Sequence, residues 1–263
     1  MTKKNLIVEE LVKKQAYSNL KVPNYNKIKF EINKLLNSEQ KNAVEKINVS
    51  IKKKKPDCFL LDGVPGSGKT ETYFQTVKTC LDEGKQILIL LPEISLTPDW
   101  EKRFHQSFSF APLVWHSGIT KTKKKQIWLS ALNSSAGVIV GARSALMLPI
   151  LNLGLIIVDE EHDPAFKQEE GVRYNARDMA IYKAIRSSVP IVLASATPSL
   201  ETYHNMKIGK YIHLTLPKRA TGAALPEIKL IDLKANTPER GKWISSVLTN
   251  EIKSKLDLSL IHI

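Results

Sequence analysis

Cysteine is nearly absent from this chain, with Cys58 and Cys80 the only two in 263 residues. They form no CxxC spacing, so neither a disulfide framework nor a cysteine-rich zinc site is expected. Both fall in segments with a core pattern, Cys58 in an apolar run and Cys80 on a helical stretch, and are expected to be core thiols. No apolar run approaches the twenty residues needed to cross a bilayer, and the N-terminus has no apolar signal region; a cytoplasmic location without a membrane partner is the expectation. Acidic residues are in short supply, 26 Asp and Glu against 39 Lys and Arg, a net charge of +13. Such an excess suits a polyanion, because Lys and Arg that neutralise backbone phosphates give sequence-independent affinity for nucleic acid. Much of it lies in runs such as Lys52–Lys55 and Lys123–Lys125, however, which equally suit a solvated surface, and charge alone does not choose between the two.

What is present begins with a 43% hydrophobic fraction, enough for one large α/β domain with appendages. The chain is organised around Gly63-Val64-Pro65-Gly66-Ser67-Gly68-Lys69-Thr70, which follows the apolar run Cys58–Leu61 and opens a helical pattern. In this G-x-x-x-x-G-K-T spacing, glycines let the backbone wrap closely round phosphates, and the N–H groups at a helix N-terminus point inward. Lys69 supplies a point charge to the β- and γ-phosphates and Thr70 a hydroxyl for Mg²⁺. A glycine-rich hairpin turn is the alternative; a strand in front and a helix behind favour the phosphate cradle.

Uniformly apolar segments then alternate with helical ones. Strands are expected at 86–91, 112–115, 137–140, 153–158 and 191–194, and helices at 70–83, 99–108, 123–132 and 177–187. The pattern indicates an α/β fold whose mostly parallel sheet is covered by helices on both faces, with ligands at the strands' carboxyl ends. Residues 1–36 lack a strong period and are expected to form an N-terminal arm or the remnant of a preceding module. From Asn37 a helix begins, with Gln40 three residues after its cap. The Gln40 side chain suits either a capping box or the adenine edge, which needs one donor and one acceptor together.

Two further elements end strands. Asp159-Glu160-Glu161-His162 follows Leu155–Val158 and lies ninety residues beyond Lys69. Asp159 is placed to hold Mg²⁺ through its water shell and Glu160 to polarise the attacking water. Ser195-Ala196-Thr197 follows the strand at 191–194; with His162, Ser195 and Thr197 are candidates to couple the γ-phosphate state to a bound polymer.

The phosphate loop, the acidic tetrad and Ser195-Ala196-Thr197, in this order, resemble the first RecA-like lobe of superfamily-two helicases. Leu91–Pro98, His116-Ser117-Gly118, Gly141–Leu146 and the run from Leu155 through Asp178 are similar to the replication-restart helicases that assemble primosomes. The resemblance covers roughly residues 36–235. It implies a three-layer RecA-like, P-loop lobe at 37–218 followed by an inter-lobe connection at 219–263, with ATP and Mg²⁺ as cofactors. Gln40 would read adenine, Gly63–Thr70 hold the phosphates, Thr70 and Asp159 hold Mg²⁺, and Lys69, Asp159 and Glu160 carry the catalysis.

Thr97 and Arg143 would grip the backbone of single-stranded or forked DNA. Phe166, Lys167, Arg173 and Tyr174 lie in a segment similar to the family's aromatic-rich, DNA-sensing loop, although ordinary core packing is the alternative for both aromatics. Relatives carry an N-terminal DNA-binding region with a winged helix, then a second lobe with a zinc insertion and the arginine that stabilises the transition state. The expectation is therefore an ATP-dependent helicase lobe, with primosome proteins as partners and its second lobe supplied in trans. A non-catalytic ATP- or DNA-binding remnant is the alternative.

Overall fold

The computed structural model describes residues 36–92, 98–219 and 228–257, and the chain divides into two compact units, Met1–Gly222 and Ala223–Ile263. In the first unit the elements run α1 (Ser38–Lys53), β1 (Cys58–Gly63), α2 (Lys69–Asp82), β2 (Gln86–Leu90), α3 (Pro98–Phe108), β3 (Leu113–Trp115), α4 (Lys121–Leu132) and β4 (Val138–Gly141). After a 3₁₀ turn at Arg143–Met147 come β5 (Leu153–Asp159), a second 3₁₀ turn at Pro164–Phe166, the short pair β6 (Lys167–Gln168) and β7 (Tyr174–Asn175), α5 (Ala176–Ser187), β8 (Ile191–Ser195), α6 (Leu200–Lys207) and β9 (Ile212–Leu216). The second unit contains α7 (Ser246–Asp257), none of whose residues is buried. No helix of the described residues is long and apolar enough to cross a membrane.

Seven strands form one sheet in the order β3-β4-β2-β5-β8-β1-β9, every pairing parallel. The apolar runs have no polar face because the sheet is buried on both sides, and alternate residues serve two cores. Phe59, Leu61, Ile87, Ile89, Ile157 and Val192 face α1, α2 and α3. Leu88, Leu90, Ile139, Ile156, Val158 and Leu193 face α4 and α5. Cys58 and Cys80 are buried free thiols, and burial pushes both well above the usual thiol range.

Parallel strands align their carboxyl ends, so the segments that follow them collect on one edge. β8 lies between β1 and β5, with Asp62 opposite Ser195 and Asp159 opposite Ala194. The phosphate loop, the segment after Ser195 and the acidic tetrad are therefore neighbours despite long separations in the chain. Fragments the apolar pattern does not flag are β9, at an edge with its outward residues exposed, and the two-residue ladder β6–β7.

Helices α2 and α3 meet the sheet through an aromatic cluster. Phe104 stacks on Phe108 at 4.5 Å and Trp100 at 5.5 Å, and Phe74 meets Phe104 edge-to-face at 5.5 Å. Phe104 is fully buried, so Phe104→Ala removes a ring and leaves a cavity that its neighbours fill only in part. A loss of about 3–5 kcal/mol in urea unfolding is expected; a change below about 1 kcal/mol would show that the cluster does not anchor α3.

Candidate nucleotide-binding site

The turn from β1 into α2 is built from glycines for identifiable reasons. A Cβ on Gly63 would lie 2.5 Å from Ser67 Oγ and 3.0 Å from Leu216 Cβ, while Gly66 (φ +78) and Gly68 (φ +82) take the left-handed conformation that side chains disfavour. Gly68 is the N-cap of α2 and offers no side chain to cap it, which leaves the first-turn amides to a ligand. Lys69 Nζ donates to Gly63 O at 2.8 Å, so its charge rests on a carbonyl of its own loop. Ser67 Oγ is buried without a partner.

Gln40 does two things at once. Its backbone N–H donates to Asn37 Oδ1 at 2.8 Å while its Oε1 accepts from Asn37 N at 2.9 Å, a complete capping box. Its Nε2 donates to Ser67 O at 2.9 Å, which ties the start of α1 to the phosphate loop. With Oε1 and one amide proton in use, an adenine contact would draw on the remaining lone pair and proton.

A cavity of about 1000 Å³ opens over the loop, lined by Gln40, Pro65–Thr70, Asp159, Glu160, His162 and Thr197, together with Arg103. It brings together the residues named for adenine, phosphate and metal. Asp159 ends β5 and is buried; Tyr73 Oη donates to its Oδ2 at 2.8 Å and Glu160 N–H to its Oδ1 at 3.1 Å. Burial pushes its carboxyl up to about 6, with the Tyr73 bond and the Lys69 charge working the other way and the Glu160 charge reinforcing the rise. Glu160 turns out of the strand at φ +48, a left-handed conformation for a non-glycine residue. Its carboxylate reaches to 3.6 Å of His162 Nδ1. His162 Nδ1 shares a 2.8 Å hydrogen bond with Ser195 Oγ, which accepts from Thr197 N–H at 3.0 Å. The three residues named for coupling thus form one chain of contacts beside Glu160.

Glu161, to which no role was attached, is buried and holds four groups. It accepts from Ser199 N at 2.8 Å, Thr202 Oγ1 at 2.9 Å, Ser199 Oγ at 3.1 Å and Arg177 Nη1 at 3.2 Å. Tyr73 and Trp100 also escape a reading of the sequence, although a tyrosine three residues after Thr70 on a buried helix face carries a hydroxyl that must find a partner.

The residues named for DNA lie apart from the cavity. Arg143 follows β4 and donates through Nη1 to Lys167 O, while Lys167, Arg173 and Tyr174 line a second cavity of about 630 Å³ beside Arg177, Asp178 and Glu201. Thr97 lies outside the described residues. Of the two readings open for Phe166, base stacking and core packing, the structure takes core packing. The 3₁₀ turn, capped by Asp163 Oδ1, folds its ring into the α4–α5 core at 1% exposure, and a buried ring presents no face to a base. Tyr174 packs against the same core while remaining half-buried.

The DEAD/DEAH box helicase family model matches residues 37–206, and the chain belongs to that family. Within it the chain is homologous to replication restart protein PriA. It is 46% identical to that of Rickettsia conorii over 84% of this chain and 34% of the relative. It is 43% identical to that of Haemophilus influenzae over 76% and 27%, and 40% identical to that of Bacillus subtilis over 84% and 27%. The chain therefore spans about a third or less of the length of these relatives. Among solved structures, RecG bound to a three-way DNA junction superposes with a TM-score of 0.51 at 24% identity, covering 81% of this chain and 25% of that one. The shared fold is the RecA-like helicase lobe.

The raised Asp159 carboxyl sets a pH dependence. An exposed aspartate titrates near 3.8 and this one near 6, so on acidification the folded state takes up the proton first, and burial of the charge costs stability progressively as the pH rises through that window. Asp159→Asn removes the cost. In metal-free protein the stability of the variant relative to the wild type is expected to grow by about 2–3 kcal/mol between pH 4 and pH 6 and then level off. A difference that stays flat over that range in urea titrations contradicts a buried, ionising Asp159.

Proposed function

We propose that this chain is the ATP-binding lobe of a cytoplasmic ATP-dependent DNA helicase of the PriA type, acting in replication restart and primosome assembly. The observation that carries the reading is the convergence of Lys69, Thr70, Asp159 and Glu160 on one cavity at the carboxyl edge of the sheet. The groups fit a magnesium nucleotide: glycines leave room for phosphate oxygens against the backbone, first-turn amides and Lys69 are donors, Thr70 supplies a hard oxygen ligand and Asp159 a carboxylate for the ion's water shell. Bound Mg²⁺ would neutralise charge on the phosphates and orient them for in-line attack.

The chain's own residues divide the remaining work. Loop amides and Lys69 hold the β- and γ-phosphates, releasing Lys69 Nζ from Gly63 O. Thr70 and, through the ion's water shell, Asp159 would hold the metal. Glu160 accepts a hydrogen bond from the water that attacks, a task for a carboxylate near the metal but not on it. His162, Ser195 and Thr197 sense the γ-phosphate from the neighbouring strand end.

Arg143, Lys167 and Arg173, at the same edge of the sheet, contact the phosphates of single-stranded or forked DNA, which gives affinity without base readout. Primosome proteins are the wider partners.

Calorimetric titration of Mg-ATP tests the nucleotide site: the wild type binds and Lys69→Ala does not, whereas equal affinity for the two sinks the assignment. DNA binding is expected to fall steeply as salt rises, and Arg143→Ala to lower the slope of log affinity against log salt by about 1 without changing sequence preference. Affinity independent of salt would contradict a phosphate-gripping track.

A further inference from the structure

The nucleotide site has a support that none of its expected residues supplies. Tyr73 lies on α2 one turn beyond Lys69, fully buried; its hydroxyl meets Trp100 Nε1 at 3.1 Å and Asp159 Oδ2 at 2.8 Å, and the Thr70 hydroxyl lies beside it. Chemistry fixes the direction of both bonds. An indole N–H can only donate and an ionised carboxylate can only accept, so the Tyr73 oxygen accepts from Trp100 and its single proton goes to Asp159, with the Thr70 hydroxyl left to donate. The other Asp159 oxygen accepts from Glu160 N–H at 3.1 Å. Each carboxylate oxygen thereby spends one lone pair on the protein and keeps one for a ligand.

Trp100 is in turn immobilised by stacking on Phe104 and an edge contact with Phe74. A relay therefore runs from α3 through Trp100 and Tyr73 to the acid that ends β5.

Resting on the nucleotide reading above, we propose that Tyr73 is the positioning residue for the metal-binding carboxylate of Asp159, and that Trp100 sets it by fixing the direction of the tyrosine proton. The relay makes the orientation of Asp159 depend on where α3 sits against the sheet. A charge-assisted hydrogen bond at a buried carboxylate is among the stronger ones, so its loss reads out in the metal contribution to nucleotide affinity rather than in the phosphate contacts.

The test uses the full chain and measures ATP affinity by calorimetry in excess Mg²⁺ and in EDTA. Tyr73→Phe keeps the ring and deletes the hydroxyl. Its EDTA affinity is expected to match the wild type within about twofold, while the gain on adding Mg²⁺ shrinks by about tenfold or more. Trp100→Phe keeps the stacking and frees the tyrosine proton; a smaller loss, about two- to fivefold, is expected in the same term. In an Asp159→Asn background Tyr73→Phe should have no further effect on the Mg²⁺ gain, a coupling that a merely structural role would not produce. If Tyr73→Phe does not fold, Trp100→Phe and its cycle with Asp159→Asn carry the test. An unchanged Mg²⁺ gain in both variants, or losses that persist undiminished in the Asp159→Asn background, overturns the relay while leaving the nucleotide site standing. A wild type that binds no ATP under either condition overturns both.

Discussion

Two carboxylates stand at the buried end of the central strand, and neither can be left without partners. Taking an ionised carboxylate out of water costs several kcal/mol unless hydrogen bonds and charge compensate it, and Asp159 and Glu161 meet that demand on opposite sides of the sheet. Asp159 draws on Tyr73 and, through it, Trp100, which belong to the core formed with α2 and α3. Glu161 draws on Arg177 at the start of α5 and on Ser199 and Thr202 at the start of α6. One short acidic stretch thus fastens helices from both outer layers to the edge where the phosphate loop lies. Glu160, between them, turns the other way at φ +48 and keeps its carboxylate at the cavity.

That arrangement sets the site from several elements of the chain at once. Gln40 holds the loop from α1, Gly63 leaves space for Ser67 beneath it, and Lys69 waits on the loop's own carbonyl. The buried Arg177–Glu161 pair lies beside the second cavity, where Lys167, Arg173 and Tyr174 gather. A contiguous set of side chains joins that surface to the acidic tetrad.

Much of this was legible in the sequence because its signals are local. The strands β1, β2, β5 and β8 read as continuous apolar runs since both faces of the sheet are covered, and the phosphate loop and acidic tetrad are contiguous motifs at strand ends. Strand β9 escaped notice because an edge position lets Ile212, His213 and Thr215 stay exposed and breaks the apolar run. Gln40 could be read either as a cap or as an adenine contact; the capping box is formed, and the bond to Ser67 O is a third role that only tertiary proximity reveals. Tyr73 and Trp100 were silent because their partners lie 86 and 27 residues away. Phe166 could be read either as a stacking platform beside Lys167 or as core, and the 3₁₀ turn that ends on it directs the ring inward.

A crystal structure of the chain with Mg²⁺ and a non-hydrolysable ATP analogue tests the convergence of these residues most directly. The expected result has Lys69 Nζ moved from the Gly63 carbonyl to the β- and γ-phosphates, the metal between Thr70 and Asp159, and the Tyr73 hydroxyl still on Asp159 Oδ2. An analogue bound away from the phosphate loop, or a metal held without Thr70 and Asp159, would contradict it.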